Sequence, residues 1–239
     1  MTAQDELLLK VPDALMNGQA VVDVIQNCVP HIKDAWQTPS IDMDIILIAI
    51  RIATYGEKLT TPLTLGETEM EYTVDLRSVM DGLMQQITWV PHIPVNEDLT
   101  IYVKPINYKQ ISQLAIQNFE TQKILQVAND ETMSEDDKLT VFRDSFAKLS
   151  KVTLGMVTAS IYRVDSSQGS TEELEFIKEF MGNVDKEIFN TVQKHLEALK
   201  EQNSVKPVII PVTDQLKEQG FTGETIEVPL TFDAASFFA

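Results

Sequence analysis

Three histidines, one cysteine and 36 acidic residues are the side chains of this 239-residue chain that could hold a metal or move a proton. His31, His92 and His195 form no i, i+4 pair and no His-Glu-x-x-His run, the spacings that bring two imidazoles to one face of a helix. His195, between Lys194 and Leu196 in an amphipathic stretch, reads as a surface residue. Cys28 stands alone, so it can form neither an intramolecular disulfide nor a multi-cysteine zinc site; among Val24, Ile25 and Val29 it reads as a small buried hydrophobe. Asp42, Asp44 and the run Glu135-Asp136-Asp137 could approach a cation, but acids at the start of a helix answer the positive end of its dipole without one. There is no glycine-rich phosphate loop, no Gly-x-Ser-x-Gly elbow and no dinucleotide fingerprint. The pattern leads to no catalytic residue, no metal and no cofactor, and leaves a hydrolase built on two spatially paired carboxylates as an alternative.

Arginine and aromatic side chains suggest assembly instead. Arg51 interrupts the apolar run Ile45-Ile46-Leu47-Ile48-Ala49-Ile50-Arg51-Ile52-Ala53, which stops at Tyr55-Gly56. A guanidinium there must snorkel to water or meet an acidic partner, in this chain or in a neighbour. Phe232, Phe237 and Phe238 crowd the last eight residues, where they either fold back on the core or dock into another protein. Arg51, Tyr55, Gly56, Phe232, Phe237 and Phe238 are therefore the candidate partner contacts.

The elements that carry these residues are mainly helical. Thr2 followed by Asp5 caps a short helix that Pro12 limits. Val21, Val24, Ile25 and Cys28 mark one face of a helix over 18–29, and the apolar run is a third helix, surrounded by protein on most sides. After Gly56 the period changes: Lys58–Leu65 and Glu69–Val74 read as a hairpin, 79–86 as a short helix, and Ile87–Val90 and Leu99–Val103 as two strands flanking the proline-rich 91–94. One long helix follows Pro105. A second starts at Ser134, carries Leu139, Phe142, Phe146, Leu149 and Val152 as a stripe, and loosens near Gly155. Asp165–Gly169 reads as a hinge, Ser170 with Glu173 as a capping box, and two helices part near Gly182-Asn183. The tail returns to β over 205–212 and 225–232. Gly66-Glu67-Thr68 and Gly223-Glu224-Thr225 begin similar strands and hint at two related hairpins. The expected fold is α+β, in four parts: an N-terminal helical bundle (1–56), a small β insertion (57–104), a helical region (105–203) and a C-terminal hairpin with an aromatic tail (204–239).

Composition narrows the partners. A net charge of −17 disfavours nucleic acid and anionic membranes, whose phosphates call for clustered Lys and Arg, and favours protein partners, basic ones among them. Arg51 cuts the longest apolar run well short of the roughly 20 residues of a membrane helix. The acidic start Met1–Glu6 lacks the basic region of a signal peptide, and a single cysteine fits a reducing compartment, so the chain is expected to stay where it is made.

Glu6-Leu7-Leu8-Leu9, a helix ending Cys28-Val29, the acidic lead into Ile46–Gly56, a hairpin closing on Val74-Asp75-Leu76, and Val228–Phe232 with Phe237-Phe238 together resemble the baseplate hub assembly family of T-even-type contractile-tailed bacteriophages. The likeness covers the first eighty residues and, more loosely, the last fifteen. It implies a non-enzymatic part in building the central hub of a tail baseplate, within a hetero-oligomeric assembly of baseplate or tail hub proteins, in the virion after assembly in the host cytoplasm. A tail assembly chaperone absent from the finished particle is the alternative that strong acidity would serve, by shielding basic hub surfaces. Relatives often carry paired cysteines, resembling a zinc ribbon, in the hairpin after the glycine. Here Thr60, Thr61 and Leu63 stand in that region, so zinc is not carried over. Relatives also tend to begin with an extra β segment and a basic Arg-Pro element that this sequence lacks.

Overall fold

The computed structural model describes residues 1–10, 18–65, 68–86, 88–130, 132–212, 217, 223–228, 230 and 237, with the backbone alone for 61–65, 68–70 and 114–118. The fold is α+β and mainly helical. Contacts gather the chain into two compact units, residues 1–33, 41–87 and 203–239 in one and 34–40 and 88–202 in the other, so each draws on several of the segments laid out along the sequence.

The first unit begins with α1 (Ala3–Leu8) and α2 (Gln19–Cys28). Thr2 and Asp5 form the expected capping box, in which each side chain accepts from the other's backbone N–H. Asp5 is itself buried and also accepts from Asn27 Nδ2 at 2.8 Å, which ties α1 to α2. Burial pulls the Asp5 carboxyl up, but the hydrogen bonds from Thr2 and Asn27 outweigh it and hold the group below its ordinary range. On α2, Val21, Val22, Val24 and Ile25 are buried, whereas Cys28 is half-buried and free. Helix α3 (Ser40–Tyr55) buries Met43, Ile48, Ile50 and Arg51; Ala49 and Ala53 are exposed, so the apolar run is not enclosed all round as its composition suggested. Its exposed side is built from small residues, which place little apolar area in water.

Strands β1 (Lys58–Leu65) and β2 (Thr68–Asp75) pair antiparallel, with Lys58 opposite Asp75, and α4 (Leu76–Gln86) follows at once. Near the C-terminus β7 (Val208–Pro211) pairs with β8 (Thr225–Val228) in a separate two-stranded sheet. Thr68 and Thr225, the last residues of the two Gly-Glu-Thr runs, are the first residues of β2 and β8; Gly66 and Glu67 lie outside the described residues.

The second unit is built on a four-stranded antiparallel sheet, β3 (His92–Asn96), β4 (Leu99–Val103), β5 (Ile161–Ser166) and β6 (Gly169–Thr171), in that order. This differs from the sequence reading at three places. The first strand lies on the proline-rich stretch and not on 87–90: β3 is an edge, where Pro94 forfeits no ladder bond. The segment 165–169 is no hinge but the turn of a hairpin, with Ser166 opposite Gly169 and Gly169 at φ +138°, a conformation only glycine adopts without strain. Ser170 caps nothing; its hydroxyl donates to Asp165, and the next helix starts from Glu173 with no side-chain cap.

Helices α5 (Tyr108–Ser112), α6 (Leu114–Ala128) and α7 (Glu135–Ser160) precede β5, and α8 (Leu174–Asn183) and α9 (Lys186–Gln202) follow β6. Ser134 caps α7 as expected, and the helix runs unbroken through Gly155 directly into β5. Ile101, Val103, Ile161, Ile177, Val192 and Leu199 anchor the core of this unit. Helices α6 and α7 are pinned by Glu120, a buried carboxylate that accepts from Ser145 Oγ at 2.8 Å and Lys148 Nζ at 2.9 Å.

Candidate interaction site at the end of the apolar helix

The apolar residues Ile45–Ile50 carry α3 toward its last turn, where the side chains change character. Arg51 is only 6% exposed. Its Nε donates to the backbone carbonyl of Phe237 at 2.8 Å, and its guanidinium carbon lies 4.3 Å from the centroid of the Tyr55 ring, one turn on. Among the described residues no carboxylate pairs with it, and Nη1 is buried with no hydrogen-bond partner. Among the described residues a carbonyl and an aromatic face stand where an acidic partner was one of the two expectations. Burial pushes the Arg51 pKa down and Tyr55 pushes it back, yet a guanidinium stays charged throughout the range in which proteins fold.

Tyr55 is 39% exposed, and its hydroxyl donates to Glu6 Oε1 of α1. Burial, the Glu6 hydrogen bond and the Glu6 charge together push the phenol up to about 12, so at neutral pH it is a donor and never a base. The Met1 ammonium donates to Thr54 Oγ1 at 3.2 Å, adding a second tie between the start of the chain and the end of α3. Gly56 closes the helix: its N–H donates to the Ile52 carbonyl at 2.9 Å and its φ of +91° is left-handed, which lets the chain turn off the helix into β1.

Of the six candidate contacts, the structure brings together Arg51, Tyr55, Gly56 and Phe237. Phe237 is 2% exposed and folded back on its own chain. Phe232 and Phe238 lie outside the described residues. Glu6 and the Phe237 carbonyl complete the cluster and were not assigned to it from the sequence. A carbonyl leaves no trace in residue type, whereas Glu6 at the exposed end of a capped helix is a signal that only spatial proximity makes specific. The cluster orders, buries and donates hydrogen bonds, and its phenol is held protonated at neutral pH.

The carboxylates weighed for catalysis lie elsewhere. Burial raises both Asp42 and Asp44, but two positions apart on α3 they do not face each other. Among the described residues no three His, Cys, Asp or Glu side chains converge as metal ligands, and no helix is long and apolar enough to cross a membrane.

No curated protein and no solved structure matches the chain. Residues 1–216 match the family model described as T4 bacteriophage base plate protein. The match runs through the middle helices, beyond the N-terminal stretch on which the likeness was first drawn, and it stops before β8 and the aromatic tail. Membership in such a family carries association with other phage baseplate proteins and a place in the virion tail. A capped N-terminal helix, an apolar helix ending Arg-x-x-x-Tyr-Gly and a long helical middle segment are, in this chain, those of a member of the T4 bacteriophage base plate protein family.

Proposed function

We propose that the chain is a non-enzymatic component of the central hub of the phage baseplate, acting through protein-protein contacts in a hetero-oligomeric assembly. The family match over residues 1–216 carries this reading, and the likeness of Glu6–Leu9, Ile46–Gly56 and Val74–Leu76 to hub assembly proteins narrows it to the hub. The part of the molecule offered to neighbours is the exposed end of α3, where Tyr55, Gly56 and Glu6 meet the surface above a buried guanidinium. No step of the role calls for a cofactor, a nucleic acid or a membrane. The division into a helical bundle, a β insertion, a helical region and a terminal hairpin is part of this proposal, each segment offering its own surface to the assembly.

A second reading has its own support. The net charge of −17 suits an assembly chaperone that covers basic hub surfaces in the host cytoplasm and leaves before the particle is finished. Mass spectrometry of purified particles separates the two: peptides of this chain in stoichiometric amount establish a subunit, and their absence from particles, with the chain present in lysates bound to hub proteins, establishes the chaperone. Hub proteins that assemble at normal rates and yields without the chain would sink both.

A further inference from the structure

Helix α8 carries two apolar rows. Ile177 and Met181, four apart, face the core and are buried. Phe176 and Phe180, also four apart, lie on the adjacent flank, and there Phe176 is 59% exposed. The second row continues across the α8–α9 joint into Val184 and Ile188; Phe180, Val184 and Ile188 pack in part against the core of the unit and, with Phe176, line an open groove of about 470 Å³. An exposed phenylalanine heading a continuous apolar row has the composition of an interface core.

The rim has a sign. Glu179 and Asp185 border the groove and no basic side chain does. Exposed Glu172, Glu173 and Glu187 flank it in sequence, and of the two nearby lysines, Lys178 is held by Glu175 at 2.7 Å, leaving Lys186. We propose that this groove is a docking site for a basic, apolar-anchored segment of a partner protein: leucine-like or aromatic side chains entering beside Phe176 and Phe180, with Lys or Arg on the segment's flanks meeting Glu179 and Asp185. Apolar anchors in a groove supply affinity, and the charged rim selects the partner and speeds encounter. The inference stands apart from the hub reading, since it concerns what the groove binds and not where the assembled chain resides.

The probe is a fluorescein-labelled amphipathic helical peptide with leucine on one face and lysine on the other, titrated into the full chain and followed by anisotropy. Its glutamate counterpart, with the same leucine face, serves as the comparison. Saturable binding of the lysine peptide is expected, weakened roughly tenfold by Phe176→Ser and again by the pair Glu179→Lys and Asp185→Lys. The pair Glu57→Lys and Glu71→Lys, at residues that do not line the groove, makes the same change in net charge and is expected to leave affinity within about twofold. No binding, equal binding of the glutamate peptide, or equal losses in the groove and control variants would overturn the proposal. So would a wild-type dimer in sedimentation that Phe176→Ser converts to monomer, because the occupant would then be a second copy of this chain.

Discussion

Replacing Phe237 by alanine tests whether the end of the chain belongs to the core of its own unit. The side chain is 2% exposed, and its backbone carbonyl holds the Arg51 guanidinium. A phenyl ring of this burial removes somewhat less than 200 Å² from water, which at about 25 cal/mol per Å² is worth roughly 4 kcal/mol. Measured Phe→Ala losses in cores, at about 3–5 kcal/mol, bracket the same figure. For a unit of this size the loss lowers Tm by on the order of 15 °C. Differential scanning calorimetry is the assay, because two compact units can melt separately and only the transition of the unit holding Phe237 is expected to move. Phe237→Leu keeps most of the volume and is expected to cost about 1 kcal/mol. Leu7→Ala, at a side chain 65% exposed, is the control and is expected to shift stability by less than about 0.5 kcal/mol. A calorimetric profile of Phe237→Ala that overlays the wild type would refute the placement of this residue in the core and return it to the surface as a docking group.

Two further substitutions read the same unit. Arg51→Met removes a charged hydrogen bond worth about 1.5–3 kcal/mol and a cation–π contact of about 0.5–1 kcal/mol, but it also relieves a buried guanidinium with an orphaned Nη1, so urea unfolding is expected to move by no more than about 1 kcal/mol. A loss above about 3 kcal/mol would mean that a carboxylate pairs with Arg51 after all. Asp5→Asn is expected to cost about 1 kcal/mol at neutral pH. Because the folded-state pKa of Asp5 lies below its unfolded value, that contribution is present above the ordinary carboxylate range and lost as pH falls through the folded pKa; stability curves of wild type and variant are expected to begin converging below about pH 4 and to meet only below the folded pKa, and a constant gap would contradict the assignment.

Features decided by neighbours in sequence were legible. The Thr2–Asp5 capping box and the Ser134 cap follow from side chains within three residues of the backbone groups they serve, and the closure of α3 follows from the left-handed backbone that Gly56 adopts without strain. The errors arose where one local pattern has two physical meanings. Asp165-Ser166-Ser167-Gln168-Gly169 is polar enough for a linker, yet the same residues make a tight hairpin once β5 has a partner in β4. Helix α7 passes into β5 with no intervening loop, so no punctuation marked the change of period at Ile161. Pro91 before β3 and Pro94 within it argued against a strand until the sheet order made it an edge. At the candidate site, Arg51 stood out as a charge in an apolar run, but its partner is a carbonyl 186 positions away, which residue types do not encode.

The route of the chain through its two units sets an order of synthesis. Nearly all of the second unit lies in one stretch, 88–202, and its sheet, helical hairpins and core are in hand as soon as that stretch leaves the ribosome. The first unit needs residues 203–239 as well, and the Phe237 carbonyl reaches Arg51 only after the stretch 88–202 has been made. While the middle of the chain is being made, the carbonyl that accepts from Arg51 Nε is therefore still absent. A chain cut short before residue 237 lacks the carbonyl that accepts from Arg51, so the hydrogen bonding of the N-terminal helices is completed from a segment 186 positions downstream.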